Sequence, residues 1–527
     1  MSVTSTSLNI PIPASVVVRP RPVRSYLLFA LCTTLYLFPF MRLLLIGPDE
    51  GMLVAGAVRV AHGQVFSRDF FEIVGPGTFY WLALFFKLFG VSFLAERLCL
   101  FVSSFGTALA IYFLSRRVCP RYQLLPCIVT VATYFGMVWP TVSHHVDSNF
   151  FGLLSVASMV LWWGRRTGAF LFAAGALTGI TALVHQPKGA LLLLAFVAWL
   201  LVLARRRLAP LSSLTLVASG FFLPVALALI YFWRQHALWD VIYAGYIWPA
   251  THYGPANVVP YAQGIFIQYW PIWSGLGHGA WTAVPAILVI AYFFIALLPV
   301  LLLILAIINR NSPFSPEILL YWLCGSALWL AEIHRKDIQH LAFGSPLLVI
   351  LFVHYLSQER TRLANAALQV LSISAVCLAS FNLLLVLNAH PFTTRAGSVA
   401  VFKDDPVVTY LNGHLAPNQE LFVYPYIPIY YFLTDTTNPT RWSGLIGYNY
   451  NSRAEFQEVT RTLDQHRVQY VVWDTLEADR MHRFSPELHW PRPGEQVMEP
   501  YLESHYNVVW EQDGVRIMER RSDYAAK

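Results

Sequence analysis

The sequence predicts a polytopic α-helical membrane protein with a small α/β domain at its C-terminal end. Three observations carry this expectation. Hydrophobic residues fill 56% of the 527 positions and charged residues only 12%, against about 25% charge in a soluble chain. The apolar residues gather into repeated stretches of roughly 17–25, the length that crosses a hydrocarbon core. Basic residues cluster between these stretches, whereas residues 395–527 return to a soluble composition.

The apolar stretches lie at about 26–46, 95–115, 122–141, 149–163, 168–184, 189–204, 211–232, 282–308, 317–332, 341–357 and 364–388. They predict about eleven crossings. The first follows Arg19, Arg21 and Arg24. It is too long for a signal-peptide core and has no small-residue cleavage site after it, so it reads as a retained anchor. Thr78–Phe89 is apolar but short, carries Lys87 and ends at Gly90. It predicts a helix lying in the outer interface. The six cysteines (Cys32, Cys99, Cys119, Cys127, Cys324 and Cys377) all lie in or beside apolar stretches, which predicts no disulfide framework in the tail.

Sidedness follows from the arginines. Arg116–Arg117 with Arg121, Arg165–Arg166, Arg205–Arg207, Arg310, and Arg360 with Arg362 occupy alternate connections. Basic connections stay inside. The segment 1–25 is then cytoplasmic, the membrane region runs over 26–394, and the domain 395–527 lies outside. In a bacterium, the expected source, this is a multi-pass protein of the inner membrane with a periplasmic tail. The same scatter keeps the net charge of +7 from forming a nucleic-acid face. In the tail, Glu420–Tyr424 and Val468–Trp473 read as strands, and Tyr506–Trp510 with Val515–Met518 as a hairpin. Asn451–Arg467 has the pattern of an amphipathic helix.

The outer connections hold the residues that can do chemistry. The first, 47–94, opens with Gly47-Pro48-Asp49-Glu50-Gly51 and contains Arg68-Asp69. Others carry His144-His145-Val146-Asp147, His185-Gln186-Pro187-Lys188, and Glu332 through His340 with His334, Arg335, Lys336 and Asp337. A carboxylate can take a proton from an attacking hydroxyl. Arg, Lys and His can hold a phosphate and the charge that develops as it leaves. The aromatic loop 233–281 suits a sugar face or an isoprenoid chain. Together these groups describe glycosyl transfer from a lipid-phosphate sugar held in the membrane.

Each group also has a structural reading. Asp49 and Glu50 suit the first turn of a helix. Arg68 and Asp69 can pair with each other, Lys188 can snorkel to the interface, and Arg335 can pair with Glu332 or Asp337. His144, His145 and Asp147 do not have the spacing of a closed metal site, so neither metal nor cofactor is expected.

In loop one the residues Asp49-Glu50-Gly51, Arg59-Val60-Ala61-His62-Gly63-Gln64, Arg68-Asp69-Phe70, Gly75-Pro76 and Lys87-Leu88-Phe89-Gly90 follow in order. This series resembles the first outer loop of GT-C glycosyltransferases, whose relatives include the protein O-mannosyltransferases and the lipid A aminoarabinose transferases. Asp147, His185-Gln186 and the Arg335–His340 run fit the same pattern, and the resemblance spans residues 26–390. It implies a transferase that moves a sugar from a polyprenyl-phosphate donor to an acceptor at the outer face. Asp49 would be the base, with Glu50 beside it. Apart from the resemblance, cations in a short outer loop run against the insertion rule, so Arg335 and Lys336, with Lys188 and His340, would face the donor phosphate. Asp147, His144, His145, His185, Arg68 and Asp69 would contact substrate. The chain departs from the pattern at Gly75, where aminoarabinose transferases carry a phosphate-binding lysine.

A transporter or flippase of lipid-linked or small hydrophobic substrates is the competing class. Transporters place ionisable groups near the membrane midplane, whereas here the polar residues gather at one face. A non-catalytic assembly partner on the same fold is a third.

Overall fold

The computed structural model describes residues 23–134, 140–252, 258–261, 283–309, 315–359, 361–447, 450–477, 479–480 and 496–522. Each of the eleven apolar stretches contains a helix. In chain order the helices are α1 (Val23–Leu37), α2 (Pro48–Ala61), α3 (Pro76–Phe89), α4 (Phe93–Val118), α5 (Leu125–Thr133), α6 (His144–Arg165) and α7 (Gly168–Val184). They continue as α8 (Gln186–Arg205), α9 (Ser212–Arg234), α10 (Ala283–Ile308), α11 (Pro316–Glu332), α12 (Ile338–Gly344), α13 (Pro346–Gln358) and α14 (Arg362–Leu387). Short helices Leu238–Ile242 and Trp248–His252 follow α9. Among the described residues, α4, α6, α8, α9, α10 and α14 are long and apolar enough to cross a membrane. The pair α12–α13, bent by 67°, makes a seventh if it is one span.

The first crossing is shorter than the predicted 26–46. Its helix stops at Leu37 because Pro39 lacks an N–H and cannot continue it. A 3₁₀ turn at Phe40–Arg42 then delivers extended backbone, and Leu44 N donates to Ala400 O at 2.8 Å. The interface helix predicted at Thr78–Phe89 is α3. Its 14 residues span only about 21 Å, too short to cross.

The bundle has two chemically different ends. At one, Arg117 at the close of α4 meets Glu317 at the start of α11, with Nε–Oε1 at 3.0 Å. Arg165 and Arg205 close α6 and α8, which run toward this end. The opposite end collects the start of α6, the α7–α8 junction, the end of α11 and the start of α12. The described arginines of the basic connections therefore lie at the end opposite His144, His145, His185 and His340. Arg19, Arg21, Arg310 and Arg360 lie outside the described residues, as does most of the aromatic loop.

The tail starts with a hairpin, β1 (His390–Thr394) and β2 (Gly397–Val401). A four-stranded sheet follows: β3 (Leu421–Tyr424), β4 (Tyr470–Asp474), β5 (Tyr506–Gln512) and β6 (Val515–Arg520), in the order β3-β4-β6-β5. Only β3 and β4 run parallel. The predicted strands and hairpin are all present. The helix Arg453–Gln465 is set by a capping box, Ser452 with Glu455.

Loop one holds the tail in place. A Cβ on Gly51 would lie 2.3 Å from Ile429 N, so α2 and the tail helix Ile429–Leu433 touch backbone to backbone. Arg59 Nη1 donates to Thr440 O at 2.8 Å and Phe71 N to Arg441 O at 2.8 Å. Ser443 Oγ donates to the buried Glu72.

Burial pushes the Glu72 carboxyl up from 4.5 to about 8. The docked tail therefore favours the uncharged carboxyl. That contribution is complete below about pH 4.5 and is lost as pH rises through about 8. The thermal midpoint of the detergent-solubilised protein should fall between pH 6 and 9, and Glu72→Gln should remove that component. Equal slopes in parent and variant would show that Glu72 does not titrate in the interface.

Candidate active site

The site begins with a helix start that the sequence reads as a loop. Ser143 is the N-cap of α6, accepting from His145 N at 3.2 Å. His144 and His145 thus stand on the first turn of a helix. His185 is the single residue between α7 and α8 and caps the latter, its Nδ1 accepting from Lys188 N at 3.3 Å. Asp337 caps α12, its Oδ1 accepting from His340 N at 3.0 Å.

These caps bring five imidazoles into one chain. Ring centroids lie 5.6 Å apart for His185–His144, 4.0 Å for His144–His145, 4.7 Å for His145–His340 and 5.7 Å for His340–His334. The sequence places each of them on the outer side separately; the fold joins them. Two overlapping groups offer nitrogen or oxygen atoms close enough for one metal ion: His144, His145 and His185, and His145, Glu332 and His340.

Beneath the imidazoles lies a buried ion pair. Lys188 and Glu332 are both 0% exposed, with Nζ–Oε1 at 2.6 Å. Lys188 also donates to Asn149 Oδ1 at 2.9 Å and Ser148 Oγ at 3.2 Å. An ammonium has three hydrogens, so these partners use all of them. This corrects the expectation of a phosphate contact: Lys188 is inside the bundle, behind the histidines. The same Glu332 Oε1 takes His145 Nδ1 at 2.9 Å.

The loop between α11 and α12 carries the remaining cations. Arg335 Nε pairs with Asp337 Oδ2 at 3.2 Å, the structural alternative that the sequence left open. Lys336 places its amine 5.7 Å from the Tyr261 ring centroid. Backbone bonds from Val259 N to His334 O (3.2 Å) and Lys336 N to Val259 O (2.9 Å) dock a piece of the long outer loop here. Burial alone would raise Asp337, but His340 and Arg335 beside it outweigh this and hold the carboxyl at about 2. Burial and then His340 lower His334 to about 4, so it is uncharged at neutral pH.

Asp49 and Glu50, adjacent in sequence, part company. Asp49 is exposed on the first turn of α2. Glu50 is 2% exposed and paired with Arg97 on α4, Nη1–Oε1 at 2.8 Å. Its Oε1 also accepts from Val142 N at 2.9 Å, and Arg97 Nη1 donates to Pro140 O at 2.9 Å. Glu50 is a brace, a correction to its expected place beside the base. It ties the start of α2 to the segment entering α6, and so links Asp49 to the backbone two residues before His144.

Two further expectations change. Asp147 is two residues beyond His145, on the opposite side of the helix. It is buried against α4, accepting from Ser103 Oγ at 2.7 Å, and turns away from His145. Arg68 and Asp69 pair with each other, Nε–Oδ1 at 2.8 Å, while Asp69 Oδ2 takes Val65 N at 2.6 Å. They shape the loop-one turn. The departure at Gly75 has a steric reason: a Cβ there would lie 2.4 Å from Leu183 O. The start of α3 packs so closely on the end of α7 that no lysine fits.

Arg97 and Glu332 are the residues whose roles the sequence reading missed. A signal was present for Arg97, since a cation at the outer end of a span breaks the same charge rule that singles out Arg335.

This arrangement of bundle, short helices α2 and α3, and strand-bearing tail is the GT-C fold. Among solved structures, ArnT from Cupriavidus metallidurans bound to undecaprenyl phosphate matches at 13% identity and TM-score 0.55, over 96% of this chain and 100% of that one. Archaeal oligosaccharyltransferase AglB from Archaeoglobus fulgidus, in complex with an inhibitory peptide and a dolichol-phosphate, matches at 12% identity and TM-score 0.52, over 94% and 74%. No protein-family model matches the sequence, and no curated protein matches it at a significant level.

Breaking a buried ion pair by removing one partner costs about 3–5 kcal/mol, and replacing both with apolar groups is often neutral. Lys188→Met should therefore lower unfolding stability in detergent by about that amount. Lys188→Met with Glu332→Leu should recover most of it. A single variant as stable as the parent would show that the pair does not hold the outer end together.

Proposed function

We propose that the protein is an integral-membrane glycosyltransferase that uses a polyprenyl-phosphate sugar and an acceptor at the outer face. The observation that carries this is one exposed carboxylate, Asp49, on a helix start that the Glu50–Arg97 brace ties to the segment entering the histidine-bearing α6. The GT-C fold supports it, as do the lipid phosphates bound by ArnT and AglB in the solved structures. The arginine-rich end of the bundle is the cytoplasmic one in this reading. The histidine end and the tail from residue 395 face outward, periplasmic in a bacterium.

An acceptor oxygen attacks the anomeric carbon as the bond from that carbon to the phosphate oxygen breaks. The acceptor's proton passes to Asp49, and the polyprenyl phosphate leaves. One displacement inverts the anomeric centre. Among the described acidic residues of the predicted site, Glu50 and Asp147 are buried in other contacts, which supports a single base. Lys336 and His340 face the phosphate with Arg335, whose contact with Asp337 positions it. Growing charge on the leaving phosphate strengthens these contacts and lowers the barrier. Lys188 acts from behind, orienting Glu332 and through it His145.

Asp49→Asn keeps size and hydrogen bonding but cannot take a proton. It should slow transfer by about a hundred-fold or more, with expression and melting unchanged. Turnover within a few-fold of the parent would remove Asp49 as the base.

A further inference from the structure

The geometry points to a divalent transition-metal site, of the kind zinc fills, formed by His144, His145 and His185 where α6 meets the α7–α8 junction. It stands on the arrangement of the imidazoles and holds whatever reaction the protein performs.

Each of the three rings offers a nitrogen within 4.8 Å of the others. Bonds of about 2.1 Å in a tetrahedral site place ligand atoms about 3.4 Å apart, so side-chain rotations of about an ångström close the set. The backbone carrying them is already fixed. Ser143 caps α6, and a Cβ on Gly189 would lie 2.4 Å from Ala182 Cα, so α7 and α8 meet backbone to backbone at their junction.

Partners of the ring nitrogens favour ligation. His144 makes no hydrogen bond among the described residues; its neighbours are the His145 and His185 rings. His145 Nδ1 is held by Glu332, which leaves Nε2 with the lone pair. A carboxylate behind a histidine is the arrangement that orients metal-ligating imidazoles. Glu332 is itself fixed by Lys188. His185 uses Nδ1 only in a long 3.3 Å capping bond, which ligation would displace.

Three imidazoles select zinc, cobalt, nickel or copper over magnesium or calcium, which prefer oxygen. They also leave a fourth position open, as in sites that bind water or an anion. Asp147, the acid nearest in sequence, is turned to Ser103 and is not a ligand. The second group, His145 with Glu332 and His340, shares only one ring with this one. The Lys188 ammonium lies 2.6 Å from Oε1 of that carboxylate, and its positive charge makes this the poorer cation site.

The test measures metal content. The purified protein in detergent is loaded with Zn²⁺, desalted and assayed for zinc by mass spectrometry, and Co²⁺ is added in parallel for its visible spectrum. Zinc should stay bound near one per chain, and Co²⁺ should show the absorption of a four-coordinate site. His144→Ala and His185→Asn should each weaken retention at least tenfold; Asn preserves a capping oxygen for α8, so the fold is kept. Negligible zinc on the parent would overturn the assignment. So would parent-like retention in both variants, or loss in His340→Ala with retention in His185→Asn. Because none of these readouts is sugar transfer, a failed metal site leaves the transferase reading standing.

Discussion

The histidine-bearing end of the bundle depends on one contact, the 2.6 Å pair between Lys188 and Glu332. Both residues are fully buried, so neither charge tolerates loss of the other. Lys188 enters from α8, Glu332 closes α11, and Ser148 and Asn149 on α6 take the remaining ammonium hydrogens. Three helices distant in sequence are thereby held at one level. His145 inherits its orientation from the same carboxylate oxygen. Such a pair adds little net stability over a well-packed apolar core, but losing one partner leaves the other charge buried and unpaired.

The Glu50–Arg97 brace does comparable work for the start of α2. Adjacent carboxylates in one helical turn point to different surroundings, and the fold uses both. Glu50 goes inward to Arg97 and Val142, which leaves Asp49 outward on a rigid helix start. Gly75 shows the same economy of space: α3 packs so closely on α7 that no side chain fits there.

Much of this was legible in the sequence, because patterning reports what a membrane requires. Apolar stretches marked the helices, and arginines marked one end. The strands of the tail followed from short apolar runs. The histidines and cations were legible as an outward set. What was hidden depends on side chains meeting across the chain. Glu332 lies 144 positions from Lys188 in numbering, and nothing local marks their pairing. The helical start of α6 was hidden because its first turns are polar. Once that helix is recognised, the separation of His145 from Asp147 follows from its period. Pro39 was a readable stop for α1, outweighed by the apolar residues after it.

The central claim is that this outward cluster performs transfer, not lipid transport. The most direct measurement is donor consumption by the purified protein, supplied in detergent with labelled polyprenyl-phosphate sugars and with extracted membrane lipids as acceptor. The account predicts release of free polyprenyl phosphate with the label passing to a new product. Intact donor with every sugar tried, alongside protein-dependent movement of that donor across the bilayer of reconstituted vesicles, would contradict it.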